Sequence, residues 1–210
     1  MAHSYNRLTA GRRLERIAAL SDGVFAIAMT LIVLEIHVPD AGPIRSEQDL
    51  WSALLGLGPR LLTYFLSFLT LGIFWNGQQT QLNSFASADR DLSWLQLAFL
   101  ATIALMPFST SLLAEFITYR LALLAYWANI FSIGLLLYLN WIYAMRKGLA
   151  TNEATPAVSA AVKRRIFVGQ SLYAFGALLC FVSPLLSIAF IVLVQLNFAI
   201  APRIPILSRI

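Results

Sequence analysis

The residue most able to do chemistry in this chain is a carboxylate inside an apolar run. Asp22 stands early in the stretch from Ile17 to Val38, beside Ser21 and one and a half helical turns after Arg16. A carboxylate at membrane depth is costly and by default marks a functional site. Ser21, Arg16 and polar groups of a neighbouring helix are its expected partners. Glu35 and His37 close the same run. A Glu-x-His pair supplies two metal ligands, and two ligands do not make a site. A ring of Glu35 copies would concentrate cations, whereas a solvated helix end is the simpler account. Glu115 reads the same way, as a positional residue between two spans. Enzyme chemistry lacks its parts. Asp22 has no second carboxylate nearby, the two histidines sit near a helix end and in the tail, and no phosphate-binding loop motif is present. Cys180, the single cysteine, can form neither an intrachain disulfide nor a cysteine metal cluster. No cofactor is implied.

Helical geometry gives this run two faces. At about 100° per residue, Ile27, Leu31 and Leu34 fall within about 60° of one another. Leu20, Gly23 and Val38 extend the stripe, and Thr30 lies at its edge. Asp22 and Phe25 lie about 140° and 160° from Ile27, on the far side. One face therefore holds a polar anchor, and the other presents stacked aliphatic side chains with one hydroxyl. By periodicity alone such a stripe reads as lipid-facing or core surface. The Thr30 hydroxyl, by itself, reads as bonded back to the Ala26 carbonyl.

These residues need elements to hold them, and composition says which. Hydrophobic residues make up 59% of the 210 residues and charged ones only 12%, with a mean hydropathy of +0.74. That excludes a soluble globule, which carries roughly twice the charge, and excludes disorder as well. The expected fold is an all-α membrane protein of six spans, each of about 20 mostly apolar residues. They run from about Ile17 to Val38, Leu50 to Asn76, Leu92 to Leu113, Leu121 to Ala144, Ile166 to Val182 and Leu185 to Ala201. Arg60 is the one charge in the second, and Pro184 should fold the last two into a tight hairpin. No paired broken helices of the transporter kind are expected. The chain thus divides into a tail over 1–16, a six-helix membrane domain over 17–201 and a tail over 202–210. The longest loop is expected at about Met145 to Arg165.

Basic residues orient the spans. Twelve Lys and Arg fall in the two tails and in the loops after spans two and four, against Arg45 and Arg120 on the other side. By the positive-inside rule both termini are cytoplasmic. The net charge of +5 and pI near 9.7 are thereby absorbed into topology, and no nucleic-acid partner is implied. The first run is longer than a secretory core segment and ends Glu35-Ile36-His37-Val38-Pro39, without a small-residue cleavage pattern, so it is expected to persist as a helix.

The stretch Arg16-x-x-x-Leu20-Ser21-Asp22-Gly23-Val24-Phe25-Ala26-Ile27 resembles the first-helix signature of the transmembrane protein 175 family, in which Arg is followed after three residues by Phe-Ser-Asp. Phe74-Trp75 at the end of span two, with Asn76 after it, and Leu105-Met106-Pro107-Phe108-Ser109-Thr110 in span three match that family in order. The likeness covers spans one to four; the last two match in hydropathy only. Leu20 replaces the family's usual Phe, and Gln78 and Gln79 stand where many members carry His, so His-dependent behaviour is not implied. The resemblance implies a potassium-conducting cation channel of the prokaryotic, single-repeat branch, a homotetramer in the cell membrane with four copies of span one around the pore. It further implies an apolar constriction in place of a carbonyl filter. Ile27 matches the first ring, Leu31 and Leu34 the next layers, and Thr30 a hydroxyl position linked to selectivity, with potassium passing transiently near Ile27 and Thr30. Arg16, Ser21, Asp22, Trp75 and Asn76 are expected to support the pore helix.

Other readings stay in view. Thr70-Leu71-Gly72-Ile73-Phe74 faintly resembles a carbonyl-filter loop but sits in an unbroken apolar span, and ordinary helix is the better account. The polar run Asn76 to Gln81 either hydrogen-bonds Asp22 or Ser21, or is a helix end solvated at the interface. The rival function is a secondary ion transporter that carries its cargo through Asp22.

Overall fold

The computed structural model describes residues 2–200, with side chains over 13–198. The C-terminal tail over 202–210 and the side chains of Arg7 and Arg12 lie outside the described residues. Eight α-helices follow in chain order: α1 Ala2–Leu31, α2 Glu47–Gly56, α3 Gly58–Asn83, α4 Arg90–Ala104, α5 Met106–Glu115, α6 Arg120–Arg146, α7 Pro156–Leu178 and α8 Pro184–Ile200. No strand occurs among the described residues; one isolated bridge joins Phe85 to Ala150. Among the described residues, three helical stretches are long and apolar enough to cross a membrane: Arg13–Glu35, Arg90–Glu115 and Arg120–Arg146. The bent pair α2–α3 makes a fourth if it counts as one span.

Several expectations need correcting. The run from Leu50 to Asn76 is two helices meeting at Leu57 with a 42° bend. Gly56 and Gly58 loosen the backbone there, and Pro59, in the first turn of α3, has no N–H to continue the ladder. The run from Leu92 to Leu113 is likewise interrupted at Leu105, where Pro107 opens α5. Both breaks lie inside runs expected to be continuous helices. Hydropathy misses both breaks because a proline changes hydrogen bonding without making the segment polar. The expected long loop to Arg165 ends early, because Thr155 caps α7 by accepting the Val158 N–H at 3.3 Å. Lys163, Arg164 and Arg165 are thus helical, and residues 36–46 form the longest connection between elements.

The buried core is built from the inward faces of α1, α3, α4, α5 and α6, closed by α7 and α8. Phe25, Leu71, Phe99, Ile103, Tyr126 and Ile133 are its centre. A smaller cluster of Leu82, Phe85, Leu92 and Trp141 seals the end where the 84–86 and 149–151 loops pair through Ala86 N–H to Leu149 O at 2.7 Å. The core is not wholly apolar. Tyr126 Oη lies 3.2 Å from both Ser67 Oγ and Thr70 Oγ1, Thr110 donates to Ser67 at 2.6 Å, and Gln195 donates to Thr70 at 2.5 Å. Thr70, in the stretch that resembles a filter loop, is therefore a helical residue knitting α3 to α6 and α8. Where water is absent, such bonds join helices that hydrophobic burial cannot. Gly176 lets α7 and α8 approach: a Cβ there would meet Ile191 Cγ1 at 2.9 Å, and Ser187 donates to the Gly176 carbonyl at 2.6 Å.

Candidate functional site

The first helix divides as its periodicity predicts. Ser21, Phe25, Ala28 and Ile32 point inward and are all but fully buried against α3, α4 and α5. The opposite face carries Leu20, Gly23, Ile27, Thr30, Leu31 and Leu34, and all are exposed in the single chain. Ile27 is 59% and Leu34 66% accessible. The structure thus leaves uncovered the aliphatic ladder that the sequence singles out.

The ladder is not a plain α-helix throughout. The α-helical part ends at Leu31, and Ile32–Glu35 is a 3-10 turn. Side chains three apart eclipse one another in that geometry. Leu34 therefore sits nearly over Leu31 instead of drifting about 60° around the axis. Successive rungs at Ile27, Leu31 and Leu34 are about 6 Å apart along the axis, from rises of about 1.5 and 2.0 Å per residue. Thr30 donates its hydroxyl to the Ile27 carbonyl at 2.9 Å, not to Ala26 as expected. That bond spends the hydrogen and leaves the oxygen lone pairs free on an exposed side chain, which is the polarity a cation requires.

The anchor is made with α3. Asp22 Oδ1 accepts from Trp75 Nε1 at 2.9 Å and from Gln79 Nε2 at 2.7 Å. Its neighbour Ser21 donates to the Ile17 carbonyl at 2.8 Å and accepts from Gln78 Nε2 at 3.0 Å. Gln78 also donates to Gln96 of α4 at 2.9 Å, and Ser21, Gln78 and Gln96 are all buried. Three helices are therefore tied at one level. Arg16 and Asn76 are brought to no such contact. Both are exposed, and neither side chain forms a hydrogen bond or ion pair among the described residues. Arg16 is thus not the partner of Asp22 that the sequence suggests.

The other end of α1 is tied too, which the sequence did not reveal. Glu35 Oε2 accepts from Ser111 of α5 at 2.7 Å. Arg60 donates to His37 Nδ1 at 3.2 Å and forms an ion pair with Glu115 at 3.0 Å. Glu35 and Glu115 are thus held by specific bonds where the sequence suggested bare solvation. Among the described residues no cluster of three or more His, Cys, Asp or Glu could hold a metal ion.

Comparisons with known proteins agree with this architecture. The family model described as the endosomal/lysosomal potassium channel TMEM175 matches residues 16–107, which include the α1 ladder and its α3 anchor. A potassium channel of Streptomyces collinus is 34% identical over 180 residues, covering 83% of this chain and 85% of that protein. A potassium channel of Chamaesiphon minutus is 32% identical over 190 residues, covering 88% of this chain and 93% of the relative. A solved structure, the crystal structure of a lysosomal potassium-selective channel TMEM175 homolog from Chamaesiphon minutus, superposes with a TM-score of 0.79. It covers 90% of this chain and 97% of its own, at 29% identity.

Proposed function

Because the chain belongs to the TMEM175 channel family, we propose that it conducts potassium ions across a membrane, as the relatives in Streptomyces and Chamaesiphon are named for doing. It is an ion channel and not an enzyme, and it crosses the membrane several times. We read six spans, with α2 leading into α3, α4 joined to α5, and α1, α6, α7 and α8 one each. The excess of Lys and Arg in the tails and in the loops after spans two and four supports cytoplasmic termini. The bacterial relatives favour the plasma membrane of a prokaryote.

One observation supports the pore assignment above the others. A single chain buries one face of α1 and leaves the Ile27–Leu31–Leu34 ladder bare, while Asp22, on another side, holds the helix to α3. Four chains around an axis would turn four such ladders toward one another. The constriction is then apolar and offers no carbonyl oxygens. Ions pass when it widens enough to stay wet. Asp22 is engaged by two donors and serves as an anchor, not as a carrier of cargo.

Reversal potential in planar bilayers under opposed potassium and sodium gradients tests this reading. Purified protein should give unitary currents reversing toward the potassium equilibrium potential. Saturable coupled flux without unitary events would instead establish a transporter. Thr30→Ala should leave unitary conductance largely intact and reduce potassium preference about threefold. That corresponds to loss of one weak oxygen contact of well under 1.4 kcal/mol. An unchanged reversal potential in that variant would remove Thr30 from the selectivity assignment.

A further inference from the structure

A hollow of about 220 Å³ lies between α3, α6, α7 and α8, away from the α1 ladder. Its walls are apolar, from Ile73, Phe74, Leu137, Ile166 and Phe198. The side chains of Gln81, Gln170 and Tyr173 complete the lining. Gln81 is 1% and Tyr173 3% accessible. Gln81 already spends its amide N–H on the Leu137 carbonyl at 3.0 Å, and Gln170 reaches the Ile130 carbonyl at 3.4 Å. At the rim stands Arg165, exposed, with no hydrogen bond or ion pair among the described residues. No Asp or Glu lines the hollow to neutralise it.

We propose that this hollow binds an anionic amphiphile, its apolar chain among Ile73, Phe74 and Phe198 and its acidic head on Arg165. The volume holds about seven groups of water or methylene size at about 30 Å³ each, which fits a short acyl segment. Water alone would leave the apolar walls and the guanidinium unmatched. The head is a carboxylate or phosphate, from a free fatty acid or from a lipid of the leaflet that Arg165 faces. The site rests on the membrane reading above, which sets the first half of α7 at the cytoplasmic interface.

The test uses the whole protein in phosphatidylcholine vesicles and decanoate bearing a terminal diazirine. Illumination should place adducts on α3, α7 and α8 peptides carrying Ile73, Ile166 and Phe198. Gly169→Leu, which projects a side chain into the hollow, should abolish them. Gly169→Ala should keep them, since its Cβ would meet only Phe198 Cζ at 3.8 Å. Arg165→Gln, at an exposed position, should cut labelling by the acid about fivefold and leave labelling by the matching diazirine alcohol unchanged. Protection by unlabelled decanoate or by phosphatidylglycerol would each support the site and identify the source. Three results would overturn it: adducts only on outward residues such as Phe65 and Leu121, equal labelling by acid and alcohol, or protection by inorganic phosphate alone. Potassium flux is read in the same vesicles. Flux without pocket labelling sinks this site alone, whereas labelling without flux sinks the channel reading and leaves the site standing.

Discussion

Ile27→Asn is expected to raise resting cation conductance about tenfold or more and to shrink the preference for potassium, because it lowers the barrier to wetting by at least about 1.4 kcal/mol. Ile27 is the innermost of three rungs, 59% accessible and outside the buried core. Its replacement therefore leaves α1 seated on α3 and α4. What changes is the surface presented to the axis. In the proposed tetramer, four isoleucine side chains would offer water no hydrogen bond and a narrow ring of them would empty, whereas four amides would hold water and so hold the path open. The eclipsed pair at Leu31 and Leu34 keeps a second dry stretch further out, so the variant should leak without becoming a free pore. Single-channel recording checks the conductance and bi-ionic reversal checks the preference. A thiol scan gives independent geometry. In a Cys180→Ser background, cysteine at 27 or 34 in an open channel should react with water-soluble reagents, and cysteine at 25 should not. Reactivity at 25 with silence at 27 and 34 would remove α1's exposed ladder from the conduction path. The native thiol is fully buried, so its background reaction should be slow.

Much of this site was legible because a helix repeats every 3.6 residues. From that period alone, Ile27, Leu31 and Leu34 share a face and Asp22 and Phe25 do not; the ladder is exposed and Phe25 buried, while Asp22, though exposed, is turned toward α3. The polar run after Trp75 also announced itself by composition. Which of its members reaches α1 depends on the register of α3, and composition carries no register. Gln78 turns inward to Ser21 and Gln96, Gln79 reaches Asp22, and Asn76 makes no side-chain bond. Hydropathy was blind to the breaks at Leu57 and Leu105, since it counts transfer energy and not backbone donors. The ties between Glu35 and Ser111 and between Arg60 and Glu115 join residues far apart in the chain. Their pairing exists only once α1, α3 and α5 are packed, so no local pattern could announce it.

The anchor at Asp22 is where substitution should cost assembly instead of selectivity. Asp22→Ala strips the shared acceptor from Trp75 Nε1 and Gln79 Nε2. Each bond to a carboxylate contributes about 1.5–3 kcal/mol when its donor has no alternative partner. Beside lipid, the indole and amide N–H groups find few substitutes. The yield of intact oligomer should therefore fall at least about tenfold, the equivalent of 1.4 kcal/mol. Asp22→Asn keeps an oxygen but loses the charge that shortens such bonds, so its loss should be intermediate. Trp75→Phe removes one donor and retains most of the ring. If the two residues act as one tie, adding Trp75→Phe to Asp22→Ala should cost little beyond Asp22→Ala alone. Gel filtration of detergent-solubilised protein measures the oligomer, and bilayer recording measures the selectivity of the channels that remain. Those survivors should discriminate between potassium and sodium as the parent does, since Asp22 lies about 140° around the helix from Ile27. Normal assembly with a shifted reversal potential would reverse the assignment. It would put Asp22 in contact with the ion and restore the carrier reading that its two bonds to α3 argue against.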